Sequence, residues 1–260
     1  MDIKNQYGTL EIQERLLVLL KVFHSFCVEN DIKYSLDWGS LLGAVRHKGF
    51  IPWDDDIDIM LDRNNYNKLI TLIQREQKLR FDYTSPDTVW IPRIYLTNER
   101  SNLYYTPTID IFIIDHAADN LSVRRVSLYL ILFLQGMLKV HPKFKKGNLI
   151  MRFFTIVTFC VGKLFSRERK LLWYDKISKK WNKKDTRQVT SYYEEYSCMG
   201  KYYSSDLLNN CITVPFEDIE VLVTEKWHEC LCVQFGNEYM TPPKEENRVS
   251  RHVNINTYTD

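Results

Sequence analysis

The sequence lacks the usual marks of an exported, metal-stapled or nucleic-acid-bound protein. Six cysteines, at 27, 160, 198, 211, 230 and 232, form no C-x-x-C pair and no His/Cys cluster at zinc-finger spacing. They read as reduced thiols, and reduced thiols point to the cytoplasm. The N-terminal stretch MDIKNQYGTLEIQERLL has no basic region followed by an apolar core and a small-residue cleavage site, so secretion is not expected. A formal net charge of +2 is too mild to call for nucleic acid, and no nucleic-acid partner is expected. No internal repeat or low-complexity tract occurs.

Long apolar runs are also missing. Residues 126–140 and 149–165 are strongly apolar, yet both fall short of the ~20 residues of a membrane span, and the second contains Arg152. What is present, 45% hydrophobic and 26% charged residues in 260, suffices for one large globular domain with an insertion or appendage.

Residues 9–30 place Leu10, Leu16, Leu20, Phe23 and Cys27 at helical spacing and predict an amphipathic helix. Residues 32–36 alternate as a short strand, Gly39 and Ser40 break it, and SLLGAVRH reads as a helix. Residues 57–61 read as a strand, with Asp62 as N-cap of a helix carrying Tyr66, Leu69 and Ile73. Residues 90–96 and 109–114 are further strands, so the fold class is α/β (α+β) with a mixed sheet. The expected domains are a catalytic core over 1–120, an apolar and basic helical insertion over 121–195, and a segment over 196–260 that completes the core.

The chemistry concentrates in WDDDIDI. A strand sends alternate side chains to one face, so Asp56 and Asp58 share a face while Ile57 and Ile59 enter the core, and Asp54 joins them if the chain is already extended. Two carboxylates so placed converge on a hard cation, Mg²⁺ or Mn²⁺, and a cation held by few carboxylates leaves positions for phosphate. Gly39 and Ser40 open a helix and offer N–H groups and a hydroxyl to a phosphate. Asp110 in TIDIFIID is the expected third carboxylate, ahead of Asp115 on the opposite strand face. Arg46, His47 and Lys48 are candidates for phosphate neutralisation.

The run YSLDWGSLLGAVRHKGFIPWDDDIDIML resembles the signature of the LicD family of phosphocholine transferases, relatives of the fukutin group. IDIFIID, VPFEDIEVLV and FGNEYMTPP resemble further family segments, so the likeness covers 31–64, 109–115 and about 212–252. The segment FGNEYM departs from the family pattern by an extra residue and a missing Asp. The resemblance implies a nucleotidyltransferase-like core in which Asp56 and Asp58 hold Mg²⁺ and Asp54 supports it. It implies that Asp110 completes the metal site or accepts the proton of the attacking hydroxyl, and that Gly39 and Ser40 hold phosphate.

The implied reaction is transfer of phosphocholine, or a related phospho-alcohol, from a CDP-alcohol donor to a hydroxyl of a cell-surface saccharide such as lipopolysaccharide, teichoic acid or capsule. Competing readings are an NMP-transferring nucleotidyltransferase, a glycerol or ribitol phosphate transferase, and an inactive membrane-associated scaffold. A choline ammonium favours an aromatic surface; Tyr34, Trp38, Trp53, Tyr95, Tyr104 and Tyr105 are available and none is singled out. Residues 163–187 hold ten Lys or Arg against three acids, a local net of +7 beside the apolar helices. That juxtaposition carries two readings, a solvated helical appendage and peripheral contact with an anionic membrane at its inner face.

Overall fold

A computed structural model describes residues 6–82, 90–98, 106–142 and 148–250. In chain order it contains α1 (Leu10–Glu29), β1 (Ser35–Leu36), α2 (Trp38–His47), β2 (Ile57–Asp62) and α3 (Arg63–Ile73). Next come β3 (Leu79–Asp82), β4 (Arg93–Leu96), β5 (Ile109–Ala117), α4 (Leu121–Leu138), α5 (Leu149–Gly162) and α6 (Arg167–Ser178). The chain ends with β6 (Gln188–Ser191), β7 (Tyr203–Ser204), β8 (Cys211–Phe216), β9 (Ile219–Thr224) and α7 (Trp227–Phe235). The α/β class with a mixed sheet flanked by helices is as expected. The chain divides into two compact units, the first over 6–82, 93–98, 106–112 and 206–250, the second over 90–92, 113–142 and 148–205.

In the first unit the strands run in the order β1-β2-β5-β4-β3, and β8 and β9 form a separate antiparallel hairpin. The amphipathic stripe of α1 buries Leu16, Leu19, Leu20, Phe23 and Cys27. Its first turns also fix the loop ahead of β2. The Thr9 hydroxyl donates to the Pro52 carbonyl at 2.6 Å, and the buried Gln13 amide donates to the carbonyls of Ile51 and Asp54 at 3.0 and 2.7 Å. Asp62 caps α3 by accepting the N–H groups of Asn64 and Asn65, as its position ahead of an apolar helix predicts.

Three sequence expectations are corrected here. The strand expected over 32–36 is only Ser35–Leu36. The helix after it starts at Trp38, because Asp37 in extended conformation caps it, so Gly39 and Ser40 lie in its first turn instead of in a turn before it. The strand expected over 90–96 starts at Arg93, immediately after Pro92, which has no N–H to give a ladder.

In the second unit β5 residues Ile114–Ala117 pair antiparallel with β6, which pairs with β7. Helix α4 packs against α5 and α6. It is long and apolar enough to cross a membrane by length and composition, with 39% of it buried inside the protein. Its buried Gln135 nevertheless donates to the Tyr174 hydroxyl at 3.0 Å and to the Glu194 carbonyl at 2.9 Å, the polar economy of a core helix. Lys170 of α6 closes the ends of α4 and α5 by donating to the carbonyls of Met137 and Gly162 at 3.0 and 3.1 Å.

Gly162 permits that close approach, since an added Cβ would lie 2.4 Å from the Met137 carbonyl oxygen. A Gly→Ala change in a helix gains ~1 kcal/mol of propensity; pressing a methyl into packed backbone costs ~1–3 kcal/mol. The Gly162→Ala variant is therefore expected to be less stable, by up to about 2 kcal/mol, read as a lower denaturant midpoint in circular dichroism. A midpoint at or above the native one would show that the ends of α4 and α5 are loosely packed.

Candidate active site

The site begins at the buried N-terminus of α2. Asp37 accepts the Trp38 N–H at 2.9 Å and a hydrogen bond from Gln234 of α7, while its own N–H donates to the Asp58 carbonyl at 2.9 Å. Burial pushes its carboxyl up to about 6, with the Gln234 amide and the Trp38 N–H pulling the other way. Ser40, also buried, accepts the Asp58 N–H on its hydroxyl at 3.0 Å and so ties α2 to the start of β2. Gly39 lies under Asp54, and a Cβ there would sit 2.4 Å from an Asp54 carboxylate oxygen. Without a side chain at 39, an acidic group can rest against the positive end of the helix.

The acidic run is packed in two ways. Ile57 and Ile59 are fully buried and Asp58 is partly exposed, the alternation a half-buried strand dictates. Asp54, Asp55 and Asp56 each present a carboxylate oxygen within 4.8 Å of the others. Asp58 is held well above the usual carboxylate range, first by burial and then by the charges of Asp56, Asp110, Asp54 and Asp37. The expected carboxylates Asp54, Asp56 and Asp110 are thus all in electrostatic reach of Asp58. Asp55, which strict strand alternation would turn to the opposite face from Asp56, is buried and accepts the Ser250 hydroxyl. It joins the same carboxylate group because the chain at 54–56 is not yet a strand.

Asp110 stands opposite Arg93 in the β4–β5 register, and the guanidinium grips both carboxylate oxygens at 2.6 and 2.7 Å. Burial alone would lower the Arg93 pKa; Asp110, Asp56 and Asp58 outweigh it and hold the group above its ordinary value. Sequence reasoning missed Arg93. The signal was present in IPRIYL, where a charge interrupts a strand whose alternate residues Ile94 and Leu96 are buried.

A basic and aromatic side faces the acids. Arg46, in the last turn of α2, donates to the Tyr239 carbonyl and to His47 Nε2, both at 2.9 Å. Burial and the neighbouring Arg248 lower Arg46, with Asp54 opposing them, and burial followed by Arg46 lowers His47. Arg248 lies 5.2 Å from the centre of the Trp53 ring, which meets His47 and Tyr7 edge-on. Lys48 is exposed at the C-cap in left-handed conformation, and its carbonyl accepts the Glu217 N–H at 2.7 Å. Of the aromatic candidates, Trp53 lies in this group, Tyr34 is fully buried, and Tyr104 and Tyr105 lie outside the described residues. Arg248 and Gln234 were also missed, because no local pattern links the C-terminal region to residues two hundred positions earlier.

Carboxylate oxygens are hard donors, and their mutual repulsion is relieved by a divalent cation, so the donor set fits Mg²⁺ or Mn²⁺. Hydroxyl, helix N-terminus and guanidinium groups nearby suit a phosphorylated ligand.

Residues 31–121 match the family model described as LicD/FKTN/FKRP, nucleotidyltransferase domain. Over nearly its full length the chain is similar to the lipopolysaccharide cholinephosphotransferase LicD of Haemophilus influenzae, 27% identical over 94% of this chain and 97% of that one. An uncharacterized protein of Rickettsia prowazekii is 35% identical over 38% of this chain and 33% of its own. A second, from Rickettsia typhi, is 54% identical over 17% and 14%.

Asp37 makes the stability of the first unit depend on pH. Its folded pKa lies above that of an unfolded aspartate, so the folded state binds the extra proton and stability falls as pH rises from about 4 through about 6. Asn keeps the capping oxygen without the buried charge. Asp37→Asn is expected to exceed the native chain in stability by about 3 kcal/mol at pH 7, the equivalent of two pKa units, with the difference vanishing below pH 4. Denaturant unfolding at both pH values checks this, and a variant less stable at pH 7 would contradict it.

Proposed function

Since the chain belongs to the LicD family, we propose that it transfers phosphocholine or a related phospho-alcohol from a CDP-alcohol to a saccharide hydroxyl of a cell-surface glycan. The observation that carries this reading is the convergence of Asp54, Asp56, Asp58 and Asp110 beside the α2 N-terminus, within the residues that match the family. The end-to-end likeness to a lipopolysaccharide cholinephosphotransferase supports both the transferred group and the acceptor class. The six cysteines, all unpaired with one another, agree with a reaction on the cytoplasmic side, where thiols stay reduced.

In this reading Asp54, Asp56 and Asp58 hold Mg²⁺, with Asp55 able to join them. A bound divalent ion supplies Lewis-acid stabilisation of charge on a diphosphate. The protein's own groups do the rest. Arg46 and Arg248 offer positive charge to the diphosphate, and the α2 N-terminus, shaped by Gly39 and Ser40, offers its dipole. The saccharide oxygen attacks the phosphorus that bears the alcohol, the bond from that phosphorus to the bridging oxygen breaks, and CMP leaves. Asp110, gripped by Arg93 through both carboxylate oxygens, would take the proton of the attacking hydroxyl or serve as a further metal ligand. Burial and Arg46 disfavour the His47 imidazolium in the free protein, so the guanidinium groups are the main source of positive charge for the phosphate.

The test is release of CMP from a panel of CDP-choline, CDP-ethanolamine, CDP-glycerol and CDP-ribitol, with Mg²⁺ and with or without saccharide acceptors. One donor is expected to be consumed in an acceptor-dependent way. Asp58→Asn is expected to reduce the rate by at least about 10³-fold without unfolding the chain, because it removes a charged ligand at almost constant volume. Near-native rates in that variant would sink the metal assignment, and pyrophosphate release from a nucleoside triphosphate would favour NMP transfer instead.

A further inference from the structure

Helix α5 is apolar on two opposite faces, and only one of them is covered. Phe154, Thr158 and Gly162 turn toward α4, where Phe154 meets Phe133 edge-on at 6.2 Å and Thr158 sits against Gly136. The other face carries Leu149, Phe153 and Ile156, 80%, 70% and 46% exposed, with Ile150 beside them at 78%. These positions recur at i, i+4 and i+7, so they form one stripe along about two turns. A stripe of large apolar side chains at that exposure marks a surface that something covers.

The neighbouring chemistry identifies the cover. The chain bends by 116° between α5 and α6. Exposed Leu164 stands at the corner, and Phe165 packs edge-on to the part-exposed Trp173 at 4.9 Å. From Lys163 to Arg187 the chain carries ten Lys or Arg against three acids, and Lys163, Arg167, Arg169 and Lys176 are all exposed. Apolar residues, interfacial aromatics and an excess of cations on consecutive helices match the boundary layer of an anionic bilayer, where acyl chains cover the stripe and headgroups neutralise the cations. A second protein surface would have to supply a matching apolar groove and a field of acids together.

We propose that α5 and the basic α6 region form a docking surface for an anionic lipid bilayer, on which α5 lies flat with Leu149, Ile150, Phe153 and Ile156 in the interface. The surface lies within the second unit and owes nothing to the transfer chemistry. A chain that binds vesicles and transfers nothing would leave this inference standing and remove the other.

The experiment is sedimentation of the full chain with vesicles of phosphatidylcholine alone and with about one-third phosphatidylglycerol. The expected result is binding to the anionic vesicles at about 50 mM salt, much weaker binding at about 500 mM, and little to neutral vesicles. Phe153→Asp is expected to weaken partitioning about 30-fold by removing one buried aromatic side chain and adding a charge. Ile150→Ser, a milder change at an exposed site, is expected to weaken it several-fold and serves if Phe153→Asp fails to fold. Charge reversal in Arg167→Glu with Arg169→Glu is expected to weaken binding only at low salt. No sedimentation with anionic vesicles at low salt, or equal binding by native chain and both apolar variants, overturns the proposal. So does a dimer in light scattering that Phe153→Asp splits while vesicle binding is absent, which would assign the stripe to a second copy.

Discussion

Mutual repulsion among the carboxylates of WDDDIDI and Asp110 is the constraint around which the first unit is arranged. Asp58 alone feels four neighbouring acids and is held above its ordinary range by them and by burial. At the separations of adjacent side chains each such pair costs on the order of a few kcal/mol at an effective dielectric of ~20, so the fold has to answer the charge. It does so with a guanidinium across the β4–β5 ladder, with a helix N-terminus opened by Gly39, and with the Ser250 hydroxyl on Asp55. These groups leave the centre acidic, with carboxylate oxygens of the kind hard divalent cations take.

The same constraint explains why parts far apart in sequence meet at the site. The Thr9 and Gln13 side chains of α1 hold the loop over 51–54 in place through its carbonyls. Gln234 of α7 fastens the cap of α2, and Tyr239 takes up the Arg46 guanidinium. Glu217, at the tip of the β8–β9 hairpin, accepts the Phe50 N–H at 3.0 Å and so supports the turn that leads from the basic end of α2 toward the acids. Residues from the start, middle and end of the chain converge on one short loop, as placement of several charges without conformational slack requires. The second unit has a different economy. Its helices close around buried Gln135 and Tyr174, and its uncovered charge and apolar surface point to partners of another kind.

Much of this was legible in the residues because it is local. The stripe of α1, the cap Asp62 and the alternation of Ile57 and Ile59 around Asp58 follow from periods of 3.6 and 2, and the fold brings Asp56 and Asp110 into the field of Asp58. What escaped depends on tertiary contact. Arg93 looks like a stray charge until register sets it against Asp110. Asp55 looks outward-facing until the chain at 54–56 proves irregular and Ser250 reaches it. The helix start at Trp38 depends on Asp37 serving as its buried cap, a position that the hydrogen bond from Gln234, 197 residues away, helps to satisfy. Lys48, attractive beside Arg46 and His47, turns out at a left-handed C-cap where its backbone supports the hairpin.

The most direct test of the account is ³¹P NMR of the purified chain with Mg²⁺, CDP-choline and a saccharide acceptor. The account predicts that the diphosphate resonances give way to one phosphomonoester from CMP and one phosphodiester on the saccharide, and that Asp58→Asn leaves the diphosphate intact. A diphosphate unchanged by the native chain under those conditions and with every other CDP-alcohol, or a product in which the nucleotide itself is bound to the acceptor, would contradict it.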